Sequence, residues 1–142
     1  MSIATPNLIK AFLGVNVHPA NLSILNADGE RKYTGDDAVR DALLAGEEYI
    51  RSSTHIIEEI VDAGRILMIS SPLKVDLNIE GSFEGKEWDY RTDKNQDQLK
   101  KIGDHIIFPK TIFDIAQGRY SKDDKGMLYF DGTPIPNGLK LN

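Results

Sequence analysis

The sequence predicts an α+β domain in which a cone-shaped, strongly curved antiparallel (mixed) β-sheet wraps around N-terminal helices and encloses a pocket. Three observations point that way. Two segments with helical apolar spacing come first, near residues 6–13 and 36–50. A long hairpin pattern, THIIEEIVDAGRILMISSPLKVDLNIE, follows at 54–80. Short strand patterns then continue to residue 131. A sheet curved round a long helix leaves an open mouth in which a small ligand can sit.

Thr5-Pro6 reads as an N-cap followed by proline at the first helical position, with Leu8, Ile9, Phe12 and Leu13 as the apolar face and Gly14 as the stop. Pro19 makes VNVHPAN a connector, LSIL (22–25) a brief strand, and Asn26-Ala27-Asp28-Gly29 a turn. The strongest helical pattern starts near Asp36, with Val39, Ala42, Leu43, Gly46, Tyr49 and Ile50 on one side. In the hairpin, Ile56, Ile57, Ile60 and Val61 cover both faces of the first strand, as in strands buried on both sides. The turn falls at Asp62-Ala63-Gly64-Arg65. Strict alternation from Leu73 to Glu80 places Lys74, Asp76, Asn78 and Glu80 on one polar face.

Phe83, Trp88 and Tyr90 suggest a further strand or strand pair, and residues 91–104 read as a solvated loop. A strand is expected at 105–116 with a bulge or edge at Pro109, and a last one at 127–131. One domain, 1–131, is expected, followed by a tail (132–142) whose prolines and glycines argue against regular structure.

The chain has 142 residues, 40% hydrophobic and 27% charged, and a formal charge of −5. That is ordinary for a soluble globular domain. Without a basic stripe, nucleic acid is not an expected partner. The absence of cysteine excludes disulfides, thiolate nucleophiles and Cys-based zinc sites. Histidines at 18, 55 and 105 lack local ligand spacing, so no metal is expected. Neither a secretory leader nor an apolar run of about 20 residues is seen, so no membrane is expected and the cytoplasm is the expected location.

The order of elements resembles the nuclear transport factor 2 superfamily, in its SnoaL-like and limonene-1,2-epoxide hydrolase-like branch. The resemblance rests on YTGDDAVRDAL, THIIEEIVDAGRILM, FEGK and IFDIAQGR. It implies a cofactor-free enzyme using acid–base chemistry on a small apolar substrate: an epoxide hydrolase, isomerase, dehydratase or cyclase. It also implies a homodimer packed through the sheet face. Lys74-Val75-Asp76 falls where the epoxide hydrolases carry an arginine and an aspartate, and Asn26 lies near their water-holding asparagine. The tyrosine position falls near Ile24 and the second aspartate position at Leu128, so both are departures.

Opening an epoxide with water needs a base and an acid. Asp76 is the expected base, with Lys74 favouring its ionised form. His55, His105, Asp114 or Asp131 would supply the complementary group. Phe83, Trp88, Tyr90 and Phe108 are candidate pocket walls, with 91–104 as a lid. Plainer readings stand beside these: a wet sheet face at 74–80, hydrogen-bonded strand-end histidines, and aromatics used for core packing. The alternative function is a non-catalytic small-ligand-binding or dimeric assembly module of the same fold.

Overall fold

The computed structural model of the chain describes residues 14–57 and 64–142. The helix expected before Gly14 lies outside these residues, as does most of the hairpin turn, Asp62 and Ala63 included.

A four-stranded mixed sheet forms the centre, in the order β1 (Val15–His18), β3 (Ser53–Ile56), β4 (Ile66–Ile69), β9 (Leu139–Lys140). β1–β3 and β3–β4 are antiparallel, and β9 joins β4 in parallel. Both hairpin arms fall where the sequence predicts, and the second ends at Ile69, short of the expected Glu80. Their register slips between Thr54 and His55. That bulge lets Ile66 and Ile69 pack together with Leu22 on one face while Leu67 meets Ile115 on the other.

Helix α1 (Ala38–Leu44) is half the length expected. It stops in a Schellman turn: Gly46, at φ +83°, donates to the Leu43 carbonyl and Glu47 donates to that of Ala42. Glycine without a Cβ takes this left-handed geometry at little cost, whereas most residues do not. The chain thus leaves the helix in time for Tyr49–Ile50 (β2) to pair with Leu73–Lys74 (β5).

The larger correction concerns residues 87–116. The expected strand or strand pair marked by Phe83, Trp88 and Tyr90, the loop at 91–104 and the strand at 105–116 give way, from Glu87 on, to one helical run: α2 (Glu87–Leu99), a π-helical turn (Lys100–Asp104) and α3 (His105–Ala116). Its buried positions Asn95, Leu99, Gly103, Ile107, Thr111, Asp114 and Ile115 recur at three or four residues, which is helical spacing. Isoleucine and phenylalanine in 105–116 mimic a strand by composition, but their period is that of a helix. Pro109 sits inside α3 without an N–H to give to residue 105, just beyond the π turn where the helical ladder is already reset. At Gly103 the run presses on the sheet, since a Cβ there would meet Ser52 Oγ at 2.7 Å.

α3 covers the sheet face bearing Thr54, whose hydroxyl lies 2.8 Å from that of Thr111. A small sheet, β6 (Tyr120–Lys122), β7 (Leu128–Phe130) and β8 (Thr133–Pro134), closes this core, with the Tyr120 hydroxyl donating to the Leu67 carbonyl at 2.9 Å. Leu128 and Ile135 complete the cluster. Residues 132–142 were expected to be irregular, yet they supply β8 and β9. Their glycines turn the chain and leave short extended pieces free to pair: Gly138, at φ +82°, passes so close to Ile66 that a Cβ would lie 2.6 Å from its Cγ2. No helix among the described residues is long and apolar enough to cross a membrane.

Candidate functional site

Where the π turn meets edge strand β1, an open groove of about 500 Å³ is lined by Val17, Lys100, Asp104, His105, Phe108 and Pro109. The π turn shapes it. An extra residue per turn carries Lys100 and Asp104 to the groove, while Leu99 and Gly103 remain buried. Asp104 Oδ1 accepts a short hydrogen bond from Ser52 Oγ, which ties the turn to the segment entering β3. Lys100 and His105 are exposed, and Phe108 is half-buried as an apolar wall. The groove therefore offers one cation, one carboxylate, one imidazole and an apolar side.

On β1, Asn16 and His18 flank Val17 and project to the opposite face of the strand. Asn16 is exposed and His18 is buried. Across the ladder Asn16 faces His55 and His18 faces Ser53. The His18 Nε2 lies 3.0 Å from the Tyr33 carbonyl oxygen. Ser53 Oγ donates to the Ala20 carbonyl at 2.6 Å and accepts from Leu22 N–H at 3.1 Å, holding the loop after His18 on the sheet. The Tyr33 hydroxyl donates to Glu47 Oε2 at 2.5 Å. Burial, and then that carboxylate, hold the Tyr33 phenol well above its usual range.

Of the residues singled out from sequence, His105 and Phe108 line the groove. His55 lies buried inside β3, with Nδ1 3.1 Å from the Ile56 carbonyl oxygen. The expected strand at 73–80 pairs only at Leu73–Lys74, where Lys74 is exposed opposite Tyr49. Beyond it, Asp76 pairs with Lys94 at 2.7 Å, and that hydrogen bond is the main reason its carboxyl titrates below the usual range. Asn95, wholly buried, donates to the Asp76 and Arg91 carbonyls and accepts from the Asp76 N–H.

Asp114 is buried on α3 beside Lys110 (3.3 Å) and Arg119 (3.6 Å), and Asp131 grips Arg119 at 2.5 Å. Asn26 closes a turn by accepting from the Asp28 and Glu30 N–H groups. Trp88 packs on the α1 core with Arg91 above its ring, and Phe83 stacks on Tyr90 at 4.3 Å. No group of three or more His, Asp or Glu side chains among the described residues is arranged to hold a metal ion.

Lys100 and Asp104 escaped the sequence reading because a polar run reads as loop. The four-residue recurrence of Leu99, Gly103 and Ile107 is the signal that would have placed them on a helix. Asn16 and His18 were hidden in a segment read as a connector.

No family model matches the chain. It is 30% identical over 144 aligned positions to the phosphoribosylglycinamide formyltransferase of Haemophilus influenzae, covering all of this chain and 58% of that protein. It is 28% identical over 127 positions to a trifunctional purine biosynthetic protein, adenosine-3, of Chironomus tentans, covering 88% of this chain and 8% of that one. Among solved structures it is similar to the phosphoribosylglycinamide formyltransferase of Coxiella burnetii, with a TM-score of 0.61, 23% identity, and coverage of 90% of this chain and 50% of that one. The corresponding structure from Anaplasma phagocytophilum gives 0.60, 21%, 89% and 50%. The chain thus spans about half the length of these solved structures.

These likenesses overturn the resemblance to the nuclear transport factor 2 superfamily, and with it the cone fold, the SnoaL-like acid–base enzyme and the binding module of that fold. The elements say the same. A long helix lies where the cone would need two strands, and the strands among the described residues form three separate sheets rather than one curved sheet. The described residues have the fold of the corresponding part of the phosphoribosylglycinamide formyltransferases.

Proposed function

We propose that this chain carries part of a formyl-transfer site, moving a formyl group from a donor to the amine of a phosphorylated ribosyl glycinamide. The observation that supports this reading is the groove at the π turn, in a chain similar along its whole length to an enzyme named for that substrate. A phosphoribosyl group brings an anionic phosphate and vicinal hydroxyls. Lys100 is the cation for the phosphate. Asp104 keeps acceptor positions beyond its bond to Ser52, and these suit ribose hydroxyls. Phe108 and Val17 give the apolar wall that most small-molecule clefts possess.

In the transfer, the amine nitrogen bonds to the formyl carbon while the bond from that carbon to the donor breaks. The amine loses a proton and the departing group takes one up.

Titration calorimetry with phosphoribosylglycinamide, and a formyl-transfer assay on the full-length protein, test the reading. Lys100→Ala and Asp104→Asn should each weaken binding about tenfold, near 1.4 kcal/mol. Absence of binding by the wild type, or wild-type binding by both groove variants, rejects the proposal.

A further inference from the structure

Three serines at one end of the β3–β4 ladder, Ser52, Ser53 and Ser70, are wholly buried, and a buried hydroxyl has to find a partner. Two of them use the backbone. Ser53 Oγ donates to the Ala20 carbonyl at 2.6 Å, and Ser70 Oγ to the Ser71 carbonyl at 3.0 Å. Ser52 Oγ donates instead to Asp104 Oδ1, on a carboxylate that lines the groove. Ser52 itself is held in place. Its N–H donates to Ser70 Oγ at 2.8 Å, and its carbonyl accepts from the Ser70 N–H at 2.9 Å.

The helical run makes room for this bond at Gly103. Glycine weakens a helix relative to alanine, and the φ of Gly103 is not left-handed, so its backbone does not call for one. A Cβ there would lie 2.7 Å from Ser52 Oγ. The missing side chain is the space through which the serine hydroxyl reaches Asp104. An aspartate at the edge of an open groove otherwise has several rotamers to choose from. With Oδ1 fixed, the remaining lone pairs of the carboxylate keep one direction.

We propose that Ser52 is a positioning residue for Asp104, its hydroxyl holding the carboxylate in the orientation that accepts from the ribose hydroxyls of a phosphoribosyl group. The proposal rests on the reading above, in which Asp104 meets those hydroxyls. A carboxylate already oriented loses less freedom when the ligand arrives. The bond therefore acts on affinity and on the choice of sugar, and leaves the transfer step alone.

Titration calorimetry on the full-length protein with phosphoribosylglycinamide and with its 2-deoxyribosyl analogue reads both effects, alongside kcat and KM for formyl transfer. Ser52→Ala should weaken phosphoribosylglycinamide binding about fivefold, raise KM by that factor at unchanged kcat, and bring the two ligands closer in affinity. In an Asp104→Ala background no carboxylate is left to orient, so Ser52→Ala should change affinity by less than about twofold. A purely structural serine would weaken both ligands alike, in both backgrounds. That result overturns the proposal and leaves the proposed function standing, as does wild-type affinity in Ser52→Ala where Asp104→Asn is weakened. If Ser52→Ala does not fold, a crystal structure of the wild type with phosphoribosylglycinamide decides. Ribose hydroxyls on Asp104 with Ser52 still bonded to it support the proposal, and an Asp104 turned away from Ser52 overturns it. No binding by the wild type removes the proposed function, and the proposal with it.

Discussion

Two carboxylates, Asp76 and Asp104, sit near lysines on the same helical run, and they differ in what their neighbours leave open. Asp76 is closed. Lys94 takes its carboxylate at 2.7 Å, the Asn78 N–H takes another lone pair, and Asn95 holds the backbone on both sides. Asp104 is open. Ser52 is the partner found for its side chain, and the groove with exposed Lys100 lies beside it. A charge satisfied by its own fold stiffens the fold, whereas a charge oriented by one bond and left beside a cleft can meet a ligand. An acid flanked by a base in sequence does not separate these cases, because Lys74 is not the partner Asp76 finds.

The largest effect expected from perturbing this contrast is at Gly103. Gly103→Val would drive side-chain atoms into Ser52 and Leu99 and lift the π turn off the sheet, at about 2–3 kcal/mol. Chemical denaturation should report that loss, and calorimetry a parallel loss of groove binding. Stability unchanged within about 0.5 kcal/mol would mean that the close approach is not what seats the turn.

Asn95→Ala comes next. It leaves the Asp76 N–H and carbonyl without their side-chain partner, for about 1–3 kcal/mol. The expected signature is a lower midpoint of unfolding with ligand affinity intact, since these bonds serve the closed region alone. Weakened ligand binding in a folded Asn95→Ala protein would join the two regions and break the comparison.

The smallest effect belongs to Asp76→Asn. The folded carboxyl titrates below its usual range, chiefly through Lys94, so its contribution is present above about pH 4 and is lost as pH falls through the lowered value. The variant should show a shallower decline of stability on the acid side, with affinity and turnover at neutral pH unchanged. A drop in turnover would return Asp76 to the chemistry.

How far the site could be read from sequence varies residue by residue. His105 and Phe108 were legible as residues with something to offer, though assigned to a strand, and the groove received them through a helix. Asp104 and Lys100 were not legible, because charged residues announce solvent whether they sit on a loop or on the outer face of a helix. His18 was visible only as a histidine. Its setting includes the Tyr33 carbonyl, fifteen residues on.

By itself the sequence determined the local features: the hairpin arms at Thr54–Ile56 and Ile66–Ile69, the turn at Asn26–Gly29, the start of α1 and the last strand near Leu128–Phe130. Each follows from period, glycine placement or side-chain-to-backbone bonding within a few residues. Only the tertiary structure decided that 87–116 is one helix with a π turn, that β9 returns to pair with β4, and that Lys94 rather than Lys74 holds Asp76. Those outcomes depend on contacts between distant residues, such as Gly103 against Ser52 and Gly138 against Ile66. A window of neighbouring residues cannot encode a distance of that kind.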